Sequence, residues 1–270
     1  MRTYLRVGGV VHHVVVEGAG PVVVLSAGLG MSWFDWDPVA ALLAPRRTVV
    51  RFDRPGHGLS GPALAAPTAA GEAGRIAGIL DALGLPGPVT VVGHSIAGFH
   101  AEAFARLYPG RTARLVLVDS SVEEHARPPV GLAPRLALAR AAGVLLGRAG
   151  VPAALGPAAR RAMVRGARTG GGDPAPRDLV RRVYGTSRVL RGLLLENAAY
   201  GALAAELLAL RGELGVLDAC GVVVAGGAGG GCWVARQRGL AGVLGVDFRL
   251  VPDAGHLLML DAPSALATTI

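Results

Sequence analysis

The sequence predicts an α/β fold: a mostly parallel central sheet of about eight strands flanked by helices, with a helical block inserted after the sixth strand. Three observations predict it. Short β-branched runs, "PVVVLSA", "RTVVRFD", "PVTVVGH" and "ARLVLVD", recur along the first half with the continuous apolar character of parallel strands covered on both faces. Helical patterns lie between them. The strand rhythm stops after Asp119 and resumes only at "CGVVVAGG".

The elements follow in order. The N-terminus "MRTYLRVGGVVHHVVVEGAG" alternates, and its "VVHHVVVE" reads as an outer strand; it lacks the uninterrupted apolar segment of a signal peptide. "PVVVLSA" is a buried strand running into the loop "AGLGMSW", and "RTVVRFD" a second, running into the turn "RPGHGLS". In residues 68–84, Ile76, Ile79, Leu80 and Leu83 fall at i, i+3, i+4 and i+7, and Gly84 stands where a helix ends in a left-handed residue. "PVTVVGH" leads into a helix over about 96–107, and "ARLVLVD" closes the first half. Residues 121–218 hold no convincing strand; helical segments are expected at 134–147, 157–168, 177–195 and 197–211, with "TGGGDPAP" at 169–176 as a loop. "CGVVVAGG", a helix near 232–242, the strand "VDFRLVP" and a short helix from Asp261 complete the chain. With 270 residues, 51% of them hydrophobic, and no internal repeat, one large domain is expected.

Composition narrows the function. The formal net charge is +8, but the arginines are scattered through the second half without a run or interleaved aromatics, which argues against nucleic acid. Cys220 and Cys232 show neither metal-ligand spacing nor a disulfide framework, so no metal is expected and a reducing cytoplasm is the plain reading. Apolar stretches such as "AAGVLLG" and "ALAAELLAL" end well before the roughly 18 residues of a membrane span. No cofactor is expected, and a homodimer is compatible with the sequence.

The chemistry gathers at "VTVVGHSIAGFH". A nucleophile at a sharp strand-to-helix corner needs small residues two before and two after it, and Gly93 and Ala97 meet that demand around Ser95. The helix that follows aims its free N–H groups at charge developing beside the hydroxyl. A hydroxyl needs a base and the base an orienting acid. His256, in the loop "VPDAGHLLMLDAP" after the last strand, is the candidate base; His12, His13, His57, His94, His100 and His125 are poorer ones. Asp119, at the end of its strand, is the favoured acid because ligand sites of parallel sheets gather at that edge, with Glu123 and Glu124 as alternatives. Backbone N–H groups of Leu29 and Ile96 are the expected oxyanion donors. Gly28 and Gly30 would let backbone approach the substrate. Trp33, Phe34, Trp36 and Phe99 are candidates for lining the pocket, and His94, beside the nucleophile, is counted with the substrate-binding residues.

Taken together, "GHSIAG", "SAGLGMSWFDW", "FDRPGHGLS", "LVLVDSS" and "DAGHLLMLDAP" resemble the α/β-hydrolase superfamily: nucleophile elbow, oxyanion loop, Asp-Arg-x-Gly-x-Gly-x-Ser turn, acid-bearing strand and histidine loop, in the order Ser95, Asp119, His256. The resemblance implies a core of residues 1–120 and 206–270 and a helical cap over 121–205. A serine at the elbow of this fold implies acyl transfer from an ester, lactone, thioester or amide through an acyl-enzyme, and the Leu and Ala content of the cap, with only Tyr184 and Tyr200 as aromatics, suggests a small or medium apolar ester or lactone. Two departures stand out. Ala27 replaces the usual histidine of the oxyanion loop, and no carboxylate follows "CGVVVAGG". The final helix is also shorter than is usual in the superfamily.

Two rival readings compete. "VVVLSAGLGMSW" with Asp53 imitates a dinucleotide site, but Trp33 stands where a third glycine is needed. A ligand-binding member of the same fold without catalysis is the other.

Overall fold

The computed structural model describes all residues, Met1–Ile270. Its strands are β1 (Arg2–Val7), β2 (Val10–Glu17), β3 (Val22–Ser26), β4 (Thr48–Phe52), β5 (Val89–His94), β6 (Thr112–Val118), β7 (Cys220–Gly226) and β8 (Asp247–Val251). They form one eight-stranded sheet in the order β1-β2-β4-β3-β5-β6-β7-β8. β1 and β2 pair antiparallel, as do β2 and β4, and every other pairing is parallel.

The period of two along each strand sends alternate side chains to opposite layers. On one face Val24, Val50, Val91 and Leu117 pack with Ile76 and Leu80 of helix α2 (Ala69–Ala82) and Phe99 and Phe104 of α3 (Ala97–Leu107). On the other, Val23, Val49, Val92 and Val116 pack against Val39 and Leu43 of α1 (Asp37–Leu43) and the C-terminal Met259 and Leu266. Burial on both faces is why these strands carry unbroken apolar runs.

Four helices lie between β6 and β7: α4 (Leu132–Arg148), α5 (Val151–Ala167), α6 (Arg177–Tyr184) and α7 (Ser187–Leu214). Helix α4 packs along α7, and α5 on α6. The helix expected at 177–195 is divided at Gly185–Thr186, and the break expected near 196 does not occur. Thr186 supplies the start signal, its hydroxyl accepting from the Val189 N–H. Helix α7 therefore runs through the expected boundary at 205/206: Leu203 and Leu207 belong to the main core, while the first half reaches the residues described below. It is the one single helix long and apolar enough to cross a membrane, and it packs against α3 and α4. The chain closes with α8 (Gly231–Leu244), α9 (Leu258–Asp261) and α10 (Pro263–Ala267).

Candidate active site

Ser95 occupies the corner between β5 and α3 with φ 54°, one of two non-glycine residues at positive φ; such a conformation costs about 1–3 kcal/mol and persists only where surroundings over-determine it. Here they do. A Cβ on Gly93 would lie 2.2 Å from the Ala97 carbonyl oxygen, and one on Gly98 would lie 1.9 Å from Ser120 Oγ. The Ser95 N–H donates to the Val118 carbonyl (3.1 Å), and its own carbonyl accepts from Gly98 (2.9 Å) and Ser121 (3.0 Å). From Val89 to Arg106 every residue is buried except Ser95.

The second positive-φ residue is Asp119, at 42°. Its N–H donates to the Val224 carbonyl (2.8 Å) at the end of β7. Asp119 Oδ1 accepts from the Gly226 N–H (3.0 Å) and from Trp233 Nε1–H (2.9 Å), and Oδ2 lies 2.6 Å from His256 Nδ1. A carboxylate at Nδ1 fixes the tautomer with the proton there and leaves Nε2 as the basic nitrogen. The Asp119 side chain is 2% exposed and that of His256 38%. No hydrogen bond links Ser95 Oγ to His256, whose ring bonds Asp119 alone.

The segment after "CGVVVAGG" thus holds no acid yet serves one: its backbone and Trp233 grip the carboxylate supplied by β6. Trp233 is the site residue that sequence reasoning misses. Glu123 instead accepts from the Tyr200 hydroxyl (3.1 Å), and Glu124 is exposed.

His94 is fully buried; burial above all, then the neighbouring His256 ring, holds it well below the usual histidine range, so it is neutral. Its Nε2–H donates to the His256 carbonyl (2.9 Å), tying the end of β5 to the histidine loop. Its Nδ1 has no partner. His94 therefore sits behind the site and not in its mouth, because a side chain next to the corner residue on a strand points to the opposite face.

The loop after β3 lies across from Ser95. Neither the Leu29 N–H nor the Ile96 N–H is spent on a backbone carbonyl. Gly28 passes so close that a Cβ there would lie 2.7 Å from His94 Nδ1 and 3.1 Å from Ser95 Cβ. Gly30 has φ 66°, and a Cβ on it would meet Leu193 at 2.5 Å. Ala27 and Gly28 keep their carbonyls on Arg54, whose Nη1 donates to Ala27 and Nη2 to Gly28 (2.9 Å). Arg54 in turn grips Glu196 of α7 with Nε (2.8 Å) and Nη2 (3.0 Å), both side chains buried. Burial alone would raise the Glu196 carboxyl, but the Arg54 guanidinium and the His57 ring outweigh it and hold the group far below the carboxylate range. His57 Nε2 lies 3.1 Å from Glu196 Oε2, without the alignment of a hydrogen bond. Tyr184, at the end of α6, donates to the Gly30 carbonyl (2.8 Å).

A cavity of about 490 Å³ opens beside this loop between Leu29 and Gly30 on one side and Leu155, Met163, Leu190 and Leu193 on the other. Arg160 reaches its wall but is paired with Asp35 and Asp173. Trp33 does not line it: 1% exposed, it packs on His13 (4.3 Å between ring centres) and Phe34 (5.0 Å). Phe34 and Trp36 are buried core side chains too, and Phe99 packs on Tyr200 (5.6 Å). Asp53 is 1% exposed and accepts from the Trp33 and Leu59 N–H groups and from His13; it braces its own turn and has no free edge for a ribose. No group of His, Cys, Asp and Glu is arranged to hold a metal ion.

The chain matches the alpha/beta hydrolase family over residues 22–269. It is 37% identical over 105 residues to the protein Mb2734 of Mycobacterium bovis, covering 39% of this chain and 30% of that one; the chain thus spans about a third of the length of this curated relative. Among solved structures, Cfl2 from Burkholderia cenocepacia superposes with a TM-score of 0.78 at 26% identity, over 99% of this chain and 93% of that one. A thermophilic esterase from Thermogutta terrifontis superposes with a TM-score of 0.74 at 22% identity, over 99% and 96%. With an eight-stranded sheet of matching fold and a family match over nearly its whole length, the chain belongs to the alpha/beta hydrolase family.

Proposed function

We propose that the protein is a serine hydrolase acting on small or medium apolar carboxylic esters or lactones through an acyl-enzyme, with Ser95 as nucleophile, His256 as base and Asp119 as orienting acid. The observation that carries this is the 2.6 Å contact between Asp119 Oδ2 and His256 Nδ1 at the edge of the sheet that also presents Ser95 as the one unburied residue of its segment.

In this reading Ser95 Oγ attacks the acyl carbon as its proton passes to His256 Nε2. The carbonyl π electrons move to oxygen, where the Leu29 and Ile96 N–H groups donate; one such donor is worth ~10² to 10³ in rate. Collapse of the tetrahedral adduct expels the alkoxide, which takes the proton back from His256. Water, deprotonated by the same nitrogen, then cleaves the acyl-enzyme. Asp119 stays ionised throughout. The Ser95–His256 hydrogen bond forms on substrate binding, as is common where a free site is looser than its complex. Apolar substrates follow from the cavity, whose one charge is neutralised by two carboxylates.

The missing Ser95–His256 bond also favours a second reading, a ligand-binding member without turnover. Hydrolysis of p-nitrophenyl esters from acetate to decanoate separates the two. The proposal expects turnover, with KM falling as the chain lengthens until the cavity is full, and its loss in Ser95→Ala. No turnover of any of these, with an alkyl ester still bound, assigns the second reading.

A further inference from the structure

Helices usually turn their apolar stripe inward and their charges outward; α4 and α5 turn leucines outward. Leu138 and Leu145, two turns apart on one face of α4, are 71% and 66% exposed, and Leu155 on α5 is 60% exposed. Val130, just before α4, is 99% exposed. The two helices meet at 107°, and each sets leucines on the outside of the insertion.

The charge along both helices is of one sign. Residues 125–172 contain no Asp or Glu. Arg160 and Arg168 in this stretch are spent on Asp35, Asp173 and Asp261, but Arg127, Arg135, Arg140, Arg148, Arg161 and Arg165 have no acidic partner. Exposed leucines rimmed by unpaired arginines have the composition of a helix lying in a membrane interface. A second copy of the chain suits the face less well, because a two-fold pairing would set one acid-free rim of arginines against another.

We propose that α4 and α5 form a docking surface for an anionic lipid bilayer, on which the protein lies without spanning it. Leucines enter the acyl boundary and arginines meet lipid phosphates. Leu155 also lines the 490 Å³ cavity, so the docked face adjoins the cavity that an apolar ester would occupy; this last clause, unlike the docking, rests on the hydrolase reading.

The test is co-sedimentation of the full chain with vesicles of phosphatidylcholine alone and of phosphatidylcholine mixed with phosphatidylglycerol. Binding is expected to the mixed vesicles, weakened by salt, and not to phosphatidylcholine alone. An arginine at an anionic surface contributes roughly fivefold in affinity, so Arg135→Ala/Arg140→Ala/Arg148→Ala should lose on the order of a hundredfold, and Leu138→Asp/Leu145→Asp should abolish binding. Both variants alter exposed side chains, so wild-type circular dichroism and wild-type hydrolysis of a soluble p-nitrophenyl ester are expected. Absence of binding to mixed vesicles, or unchanged binding by both variants, overturns the proposal. So does a dimer that Leu138→Asp/Leu145→Asp dissolves, which would give the face to a second copy. Vesicle binding by a protein that hydrolyses no ester would sink the hydrolase reading and leave the docking intact.

Discussion

Replacing Glu196 by Gln probes the link between the inserted helices and the loop after β3. The carboxylate accepts two bonds from Arg54 at 2.8 and 3.0 Å, with both side chains no more than 4% exposed. Glutamine keeps the size but has one accepting oxygen, sets an NH₂ against the guanidinium and leaves a cation buried without its counter-charge. Removing one partner of such a pair costs about 3–5 kcal/mol. At roughly 2–4 °C per kcal/mol for a chain of this size, the melting temperature should fall by about 6–20 °C at neutral pH. Acid supplies an internal check. The folded carboxyl is depressed, so its contribution is complete above the unfolded value, about 4.3, and is lost as pH falls below that toward the folded value. The gap between wild type and variant should therefore narrow below about pH 4. Differential scanning calorimetry across pH reads both effects. Activity is a separate readout: the double variant Arg54→Met/Glu196→Leu should regain much of the stability, because apolar replacement of a whole buried pair is often neutral. It should still turn over slowly, since the Ala27 and Gly28 carbonyls lose their anchor. A Glu196→Gln melting point within about 2 °C of wild type at neutral pH, or a gap that widens in acid, would show that the buried pair does not stabilise the fold.

Asp119→Asn should lower kcat by ~10⁴, as loss of the orienting charge does in a serine protease, while Glu123→Gln and Glu124→Gln change it by less than about tenfold; steady-state kinetics that reverse this order misplace the acid. Trp233→Phe removes one hydrogen bond to the Asp119 carboxylate, and bonds to charged groups contribute about 1.5–3 kcal/mol. A fall in kcat of about tenfold or more with KM nearly unchanged is expected, together with a moved acidic limb of the pH–rate profile. A variant with wild-type kcat and profile would reduce Trp233 to packing.

What the sequence makes legible is what local sterics dictate. The corner at Ser95 is legible because it needs small residues on either side, and a Cβ on Gly93 would run into the Ala97 backbone; the strands are legible because burial on both faces demands apolar runs. Asp119 could be proposed because a parallel sheet collects its chemistry at one edge. The ties that hold the site are not local. Glu196 meets Arg54 across 142 residues, and Trp233 meets Asp119 across 114; nothing in the periodicity of α7 or α8 marks either side chain. Helix α7 is hard to delimit from its sequence: nothing in its Ala- and Leu-rich stretch stops a helix near 196, where a boundary is expected, and the true break depends on one capping threonine. Trp33 and Phe99, aromatic and near the loop or the nucleophile, invited a binding role, yet the structure packs both into the core.

In the proposed mechanism Ser95 is a nucleophile activated by His256. Labelling with a fluorophosphonate, followed by intact mass and peptide mapping, reads that activation, because the reagent bonds an activated hydroxyl far faster than an ordinary one. One adduct per chain on Ser95 is expected, none in Ser95→Ala, and slowed labelling in His256→Ala and Asp119→Asn, with a wild-type melting curve for Ser95→Ala. Labelling that persists in Ser95→Ala, or a folded wild-type protein that takes no label, would contradict it.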